Sequence, residues 1–380
     1  MLDELPLSPN GKVDRRALPA PDSSISGLIS SIPARDALEG KLVRLYENVL
    51  GLENLGVQDN FFTLGGHSLL ALRLRAEIER EFGVNVPMLT LFQESTVEQM
   101  AVILRKEGAA SGSSTLIPLS RGERKPLFLV HAVGGTVHSY LELARALGDQ
   151  PVYALQAPGI EGQSEPLQSV VELASRYVAE IRTVQPEGPY WLGGWSFGGL
   201  VAYEMAQQLA AQQQEVAMLT LIDSFAPNPQ TGQNLDEKAL LLEFGRDLAG
   251  QFGQETAAAL EQLVEVDDLY GALQKAQDLK VLPPSLQQED VLRLFAVYKA
   301  NRLAMESYTP APYNGRVTLL KAAEGSADLQ QADDSNWGGL APTLEVQSVP
   351  GDHFTLIQPP NVDRLAASIR RALTSNGSEQ

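Results

Sequence analysis

Cysteine is absent from the 380 residues, which excludes disulfide staples, thiolate metal sites and a cysteine nucleophile together and points to a reducing cytosol. No run approaches the ~20 consecutive apolar residues that a membrane span needs. The start, MLDELPLSPNGK, shows no basic region followed by an apolar one, so neither a spanning segment nor a secretory leader is expected. Histidine is scarce at four residues, and any chemistry that needs an imidazole has few places to find one. Positive charge is in deficit: 29 Lys and Arg face 47 Asp and Glu, a net −18, and a field of that sign repels phosphate backbones. Nucleic acid is therefore excluded as an expected partner, and no membrane is expected either. What is present, 44% hydrophobic and 20% charged residues, is the usage of folded, water-soluble domains, and the length exceeds one ordinary core.

Two stretches read as mobile linkers, rich in Pro, Ser, Gly and Ala and without sustained periodicity: residues 18–34 and 108–117. They divide the chain into a tail (1–20), a linker (21–35), a small domain (36–107), a second linker (108–118) and a large domain (119–377). The small domain reads as helical. Leu38, Leu42, Leu45, Tyr46 and Val49 follow one helix face, and Leu69, Leu70, Leu72, Leu74 and Ile78 make a second before Gly83 stops it. A further helix is expected from about Thr96, an N-cap with Glu98 behind it, to Arg105. The expectation is a small all-α four-helix bundle with a long loop, 51–67, between its first two major helices.

From Pro126 the pattern changes to near-continuous apolar runs, LFLV (127–130), PVYAL (151–155), YWLGG (190–194), VAMLTLI (216–222), RVTLLKA (316–322) and LEVQSV (344–349), separated by helix-like segments. Such alternation predicts a mostly parallel sheet covered by helices on both faces. Between Ser224 and Asn314 the strands lapse, and helical segments at 238–251 and 288–305 suggest an insertion over the sheet's C-terminal edge.

Gly194-Trp195-Ser196-Phe197-Gly198 fits G-x-S-x-G, a pentapeptide that a chain with 32 glycines can produce by chance. Context strengthens it, because a short buried-type strand precedes it and a plausible helix follows, the setting of a nucleophile elbow. The competing reading is a structural serine in a glycine-rich turn. A serine hydroxyl needs a base to become nucleophilic. The only histidine after Ser196 is His353, in Val349-Pro350-Gly351-Asp352-His353-Phe354, whereas His131 and His138 precede the elbow and read as packing or loop residues. Three acids compete for the orienting role. Asp223 ends the strand after the elbow helix and is the first choice, its alternative being a cap of the next turn; Glu324 and Asp328 follow a later strand. Asp352 adjoins His353 and neighbouring side chains diverge. An oxyanion would need two backbone donors, Phe197 after the nucleophile and Val133 in the glycine-bearing loop after the first strand.

In the small domain, Asp59-Asn60-Phe61-Phe62-Thr63-Leu64-Gly65-Gly66-His67-Ser68-Leu69 places Ser68 where a loop becomes a helix. Physics alone reads Ser68 as an N-cap, although a phosphate on it would meet the helix's unpaired N–H groups. DNFFTLGGHSLLALRL, however, resembles the attachment motif of the carrier proteins of nonribosomal peptide synthetases, which implies a 4'-phosphopantetheine arm on Ser68 and a phosphopantetheinyl transferase that installs it. LPLSPNGKVDRRALP (5–19) resembles the closing motif of an adenylation domain. In that family the lysine at the place of Lys12 contacts the acyl-adenylate; here Lys12 is expected to be a remnant, with no amino-acid activation.

The large domain in turn resembles the type I thioesterase that ends such assembly lines, over nearly all of 119–375, through GWSFGG, LTLIDS and PGDHF. The resemblance implies an α/β-hydrolase fold with a helical lid at about 225–313 and favours Asp223 as the acid. It also implies upstream adenylation and condensation domains as partners and a peptidyl thioester as substrate. The position that often holds proline after the oxyanion-loop histidine is Ala132 here. The expected activity is transfer of a finished peptide to Ser196, followed by hydrolysis or macrocyclisation. The rivals are a carrier or docking module with an inactive hydrolase-like half, and a free-standing serine esterase with a helical appendage.

Overall fold

The computed structural model describes residues 32–82, 86, 88–105, 115–120, 122–160, 162, 164–227, 237–252, 271, 288–324 and 335–375. The tail with Lys12, most of the first linker, residues 108–114 of the second and Asp328 lie outside them. The chain divides into two compact units, Met1–Ala109 and Ala110–Gln380.

The first unit holds α1 (Ala37–Leu50), α2 (Ser68–Phe82), α3 (Met88–Gln93) and α4 (Val97–Arg105). Leu42, Tyr46 and Val49 recur at helical spacing and are buried, which is why the segment is amphipathic and packs. Asp36 Oδ1 accepts the Glu39 N–H at 2.9 Å to begin α1, and Gly51, at φ +67°, closes it by donating to the Glu47 carbonyl. The long loop is anchored rather than loose: Leu55, Val57, Phe61 and Leu64 are buried with the helices, and the Phe61 N–H donates to the Ser95 carbonyl at 3.0 Å. At α4 the N-cap is Thr96 as expected, but the residue that reaches back to its N–H is Gln99, at 3.1 Å, rather than Glu98.

Glu39 is the charged centre of this unit. It is 1% exposed and accepts from the Arg35 backbone N–H, from Arg35 Nη2 at 2.7 Å and from Arg105 Nη2 at 3.3 Å. Hydrogen bonds from Arg35 outweigh its desolvation and hold its carboxyl down at about 2, against an ordinary 4.5. A depressed carboxylate stabilises the fold fully above its unfolded value and loses that contribution as pH falls through its folded value. Glu39→Gln is expected to lower the stability of this unit at pH 7 by about 2 kcal/mol. The gap to the parent should close between about pH 4.5 and about pH 2. Amide NMR signals of residues 37–105 in a pH titration of both full-length chains report it; a gap independent of pH would contradict the assignment.

The second unit is built on a seven-stranded sheet in the order β1-β3-β2-β4-β5-β6-β7. Its strands are β1 (Leu116–Ser120), β2 (Leu127–Val130), β3 (Val152–Leu155), β4 (Tyr190–Trp195), β5 (Val216–Ile222), β6 (Val317–Ala322) and β7 (Leu344–Val349). All neighbours pair in parallel except β1, which lies antiparallel on β3 at the edge. Strand β1 corrects the expected linker of 108–118, since residues 116–118 belong to the sheet and Leu116 and Ile117 are buried. Pro118, an apparent linker residue, is tolerated on an edge strand whose register shifts between Pro118 and Ser120.

Helices α5 (Tyr140–Leu147), α6 (Val170–Val184) and α7 (Phe197–Ala211) cross between these strands, and α11 (Val362–Ser375) ends the described chain. Between β5 and β6 the described residues include α8 (Glu237–Phe252) and α9 (Gln288–Ser307), close to the two helices expected in the insertion. Their contact is aromatic, Phe244 lying 5.4 Å from both Phe295 and Tyr298 between ring centroids. The short α10 (Ser335–Gly338) precedes β7. Because β2, β4, β5 and β7 run in parallel, their C-terminal ends share one edge of the sheet. The loops there carry Val133, Ser196, Asp223 and His353.

Candidate active site

Ser196 is the residue at which β4 becomes α7, and its backbone is held at φ +56°, ψ −123°, a region that costs a non-glycine residue of order 1–3 kcal/mol. Neighbouring strands impose this conformation: the Ser196 N–H donates to the Ile222 carbonyl on β5 at 2.9 Å, and the Trp195 N–H donates to the Tyr140 hydroxyl at 2.8 Å. That hydroxyl donates in turn to the Val130 carbonyl at the end of β2, so one buried tyrosine ties the ends of β2 and β4 beneath the turn. Glycine is obligatory on both sides. A Cβ at Gly194 would lie 2.2 Å from the Gly198 carbonyl carbon, and one at Gly198 would lie 2.1 Å from the Val130 oxygen. Ser196 is left half-buried at the start of a helix whose next residue, Phe197, supplies the first N–H.

Asp223 follows β5, 4% exposed, at φ +41°. Its Oδ2 lies 2.6 Å from His353 Nδ1 and its Oδ1 accepts the Ala322 N–H at 2.9 Å, so both oxygens are committed. The His353 loop is itself organised. Gly351 turns at φ +100°, and Asp352 Oδ1 accepts from the N–H groups of Phe354 and Thr355, which directs that carboxylate away from the imidazole. The His353 carbonyl accepts from Trp195 Nε1 at 3.0 Å, and the imidazole lies 5.2 Å from the Trp195 ring between centroids. The structure thus brings the imidazole to Asp223 and to the residue preceding Ser196. Among the hydrogen bonds of the described residues, none joins His353 to Ser196 Oγ. Glu324 is exposed, and its backbone N–H donates to the Gly351 carbonyl.

The loop after β2 holds Val133 in a turn closed by Gly135 N–H to the Ala132 carbonyl at 2.9 Å. His131 lies fully buried beneath it. Nδ1 is 2.6 Å from the same Ala132 carbonyl and Nε2 is 2.8 Å from the Tyr177 hydroxyl. Burial pushes this imidazole down to about 4, so it is neutral near pH 7. A carbonyl can only accept, which puts the ring proton on Nδ1; the one Tyr177 hydroxyl proton is then shared between Nε2 and the Gln156 carbonyl, 3.1 Å from that hydroxyl. His131 is the packing residue the sequence suggested, and it also anchors the Ala132–Val133 peptide, which its isolated position in the sequence did not announce. His138 Nδ1 pairs with Thr136 Oγ1 at 2.8 Å.

In the small unit Ser68 is the first residue of α2. The turn before it uses Gly65 at φ +96°, and Gly66 where a Cβ would lie 2.3 Å from the Phe61 ring. Gly65 and His67 are exposed, so this helix start is at the surface. A phosphodiester there would meet the unpaired N–H groups of the first turn, and the site fits an attached 4'-phosphopantetheine.

Comparison with known proteins agrees with both halves. Residues 125–373 match the thioesterase domain family and residues 40–102 the phosphopantetheine attachment site. A dimodular nonribosomal peptide synthase of Bacillus subtilis is 38% identical over 331 residues, 84% of this chain and 13% of that protein. Enterobactin synthase component F of Escherichia coli is 27% identical over 384 residues, 98% of this chain and 27% of that protein. A solved four-domain nonribosomal peptide synthetase, in its holo form with AMP and glycine, superposes with a TM-score of 0.65 at 35% identity. That match covers 97% of this chain and 28% of the other. The chain belongs to the thioesterase domain family, on an α/β-hydrolase fold, and carries ahead of it an all-α domain of the kind that bears covalent 4'-phosphopantetheine. It is a carrier and thioesterase pair of the nonribosomal peptide synthetase type, spanning about a quarter or less of the length of these relatives.

Proposed function

We propose that the large domain releases an acyl chain, a completed peptide, from a thioester held by the carrier domain, through a Ser196-His353-Asp223 triad. The observation that carries this reading is the 2.6 Å contact between His353 Nδ1 and Asp223 Oδ2, formed across 130 residues of sequence at the sheet edge where the strained Ser196 emerges. An ionised Asp223 accepting from Nδ1–H fixes the tautomer that leaves Nε2 as a base. The attached 4'-phosphopantetheine on Ser68 supplies the thiol to which the acyl chain is esterified.

The steps then fall to the protein's own groups. Nε2 takes the hydroxyl proton as Ser196 Oγ attacks the thioester carbonyl, and the oxyanion is met by the N–H groups of Phe197 and Val133. His353 returns the proton to the departing sulfur, leaving the acyl chain on Ser196. In the second half His353 activates water, or a hydroxyl or amine of the acyl chain, to release the product. Catalytic hydrogen bonds commonly close only in the substrate complex, so the missing Ser196–His353 bond is compatible with this order. Upstream adenylation and condensation domains, and a transferase that loads Ser68, are the partners this reading requires.

The test is to load Ser68 with a synthetic peptidyl-pantetheine and weigh both protein and product over time. The expected result is acyl loss from the protein and release of a peptide at its full mass, or lower by one water where the ring closes. Ser68→Ala should accept no arm. A chain that stays loaded for hours with Ser196 intact would favour the inactive docking module.

A further inference from the structure

The helix α9, expected only as part of a lid, lies directly on the loop that carries Val133. Arg293, Val297 and Asn301 fall at i, i+4 and i+8, so they share one face. Along that face a Cβ at Gly162 would meet Arg293 Nε at 3.1 Å, and one at Gly135 would meet Val297 Cγ1 at 2.5 Å. Val297 is fully buried with Ala157 and Ile160 from the loop after β3. One turn further on, Asn301 is 2% exposed, and its Nδ2 donates to the Val133 carbonyl at 2.8 Å, across 168 residues. A buried amide is costly unless it is bonded, and a carbonyl can only accept, so the Asn301 side chain has one orientation that suits this partner.

Two consecutive carbonyls of the loop are therefore held. That of Ala132 is fixed from inside by Gly135 N–H and His131 Nδ1, and that of Val133 from α9 by Asn301. In a trans peptide the N–H points opposite to the C=O, so fixing the Ala132 carbonyl aims the Val133 N–H the other way. The Val133–Gly134 peptide has a weaker guard against flipping, because Gly134 accepts almost any φ. Without Asn301 that peptide can rotate, move Val133 off its pose and bring a carbonyl oxygen toward a developing negative charge.

We propose that Asn301 is a positioning residue for the oxyanion loop, holding the Val133 carbonyl so that the neighbouring N–H stays aimed at the reacting carbonyl. This rests on the triad reading above, and it makes α9 a fixed clamp on catalysis rather than a moving cover.

The test compares the full chain with Asn301→Leu and Asn301→Asp, the second near-isosteric but without a donor. Three quantities are read: the rate at which a fluorophosphonate labels Ser196, kcat and KM for a short acyl thioester of N-acetylcysteamine, and the thermal midpoint. Labelling rate and kcat should fall together by about 100-fold, with KM changed less than about threefold. The melting transition should remain cooperative, and amides 133–135 should exchange hydrogen faster. Should Asn301→Leu fail to fold, Asn301→Asp decides alone. Labelling of either folded variant at the parent rate, or a defect confined to KM, overturns the proposal. Failure of the parent chain to label overturns the triad reading instead, which keeps the two outcomes apart.

Discussion

Ser196→Ala is expected to leave the acyl chain on the carrier, with turnover down by about 10⁶-fold. The size follows from the role: of the elbow residues Gly194, Trp195, Ser196, Phe197 and Gly198, Ser196 alone carries a nucleophilic side chain that can form the acyl bond. The fold should survive, because the Ser196 contacts that hold the turn are those of its backbone, N–H to Ile222 and carbonyl from Gly199. Alanine at φ +56° bears the same strain as serine. Intact-mass measurement of a loaded sample should show a stable acyl adduct on the variant and its disappearance from the parent chain. Turnover within tenfold of the parent would reject Ser196 as the nucleophile.

Asp223→Asn should cost about 10⁴-fold in kcat, a loss out of proportion to a change of one atom. Asp223 accepts at both oxygens, from Ala322 N–H and from His353 Nδ1. An asparagine has one accepting oxygen. If that oxygen serves Ala322, the amide NH₂ faces Nδ1 and forces the imidazole into the tautomer with its proton on Nε2, which cannot then act as base. If it serves His353, the NH₂ is thrust against the buried Ala322 N–H, two donors face to face. Glu324→Gln should change kcat by less than about threefold, because the Glu324 side chain is exposed and its part in the loop is a backbone bond to Gly351. Equal losses in the two variants would move the acid from Asp223 to the later strand.

The sheet was largely readable from the chain because parallel strands buried on both faces are apolar throughout, and β2 and β5 match the runs at 127–130 and 216–222, while β7 at the edge keeps only the alternation of Leu344, Val346 and Ser348 with Glu345, Gln347 and Val349. Strand β1 was hidden for the opposite reason. It is short, antiparallel and at an edge, it contains Pro118, and it follows a Gly/Ser-rich stretch that composition assigns to a linker. In the site, Ser196, His353 and Asp223 could be named because a turn motif and the scarcity of histidine narrow the choice. The groups that hold them could not. Tyr140 beneath the elbow, Ala322 beside Asp223, Tyr177 against His131 under the loop and Asn301 on α9 act through contacts spanning 55, 99, 46 and 168 residues. No local periodicity or motif encodes which carbonyl a buried side chain will meet after folding. The capping of α4 was legible by contrast, since Thr96 with Gln99 three residues on has the spacing of a capping box and Glu98 stands one position short of it.

The most direct measurement is reaction of the full chain with a fluorophosphonate, followed by peptide mapping of the adduct in the parent and in His353→Ala. The account requires a single adduct on Ser196, formed quickly in the parent and at least about 1,000-fold more slowly in the variant. An adduct on another serine, or labelling of Ser196 at the parent rate without His353, would contradict it.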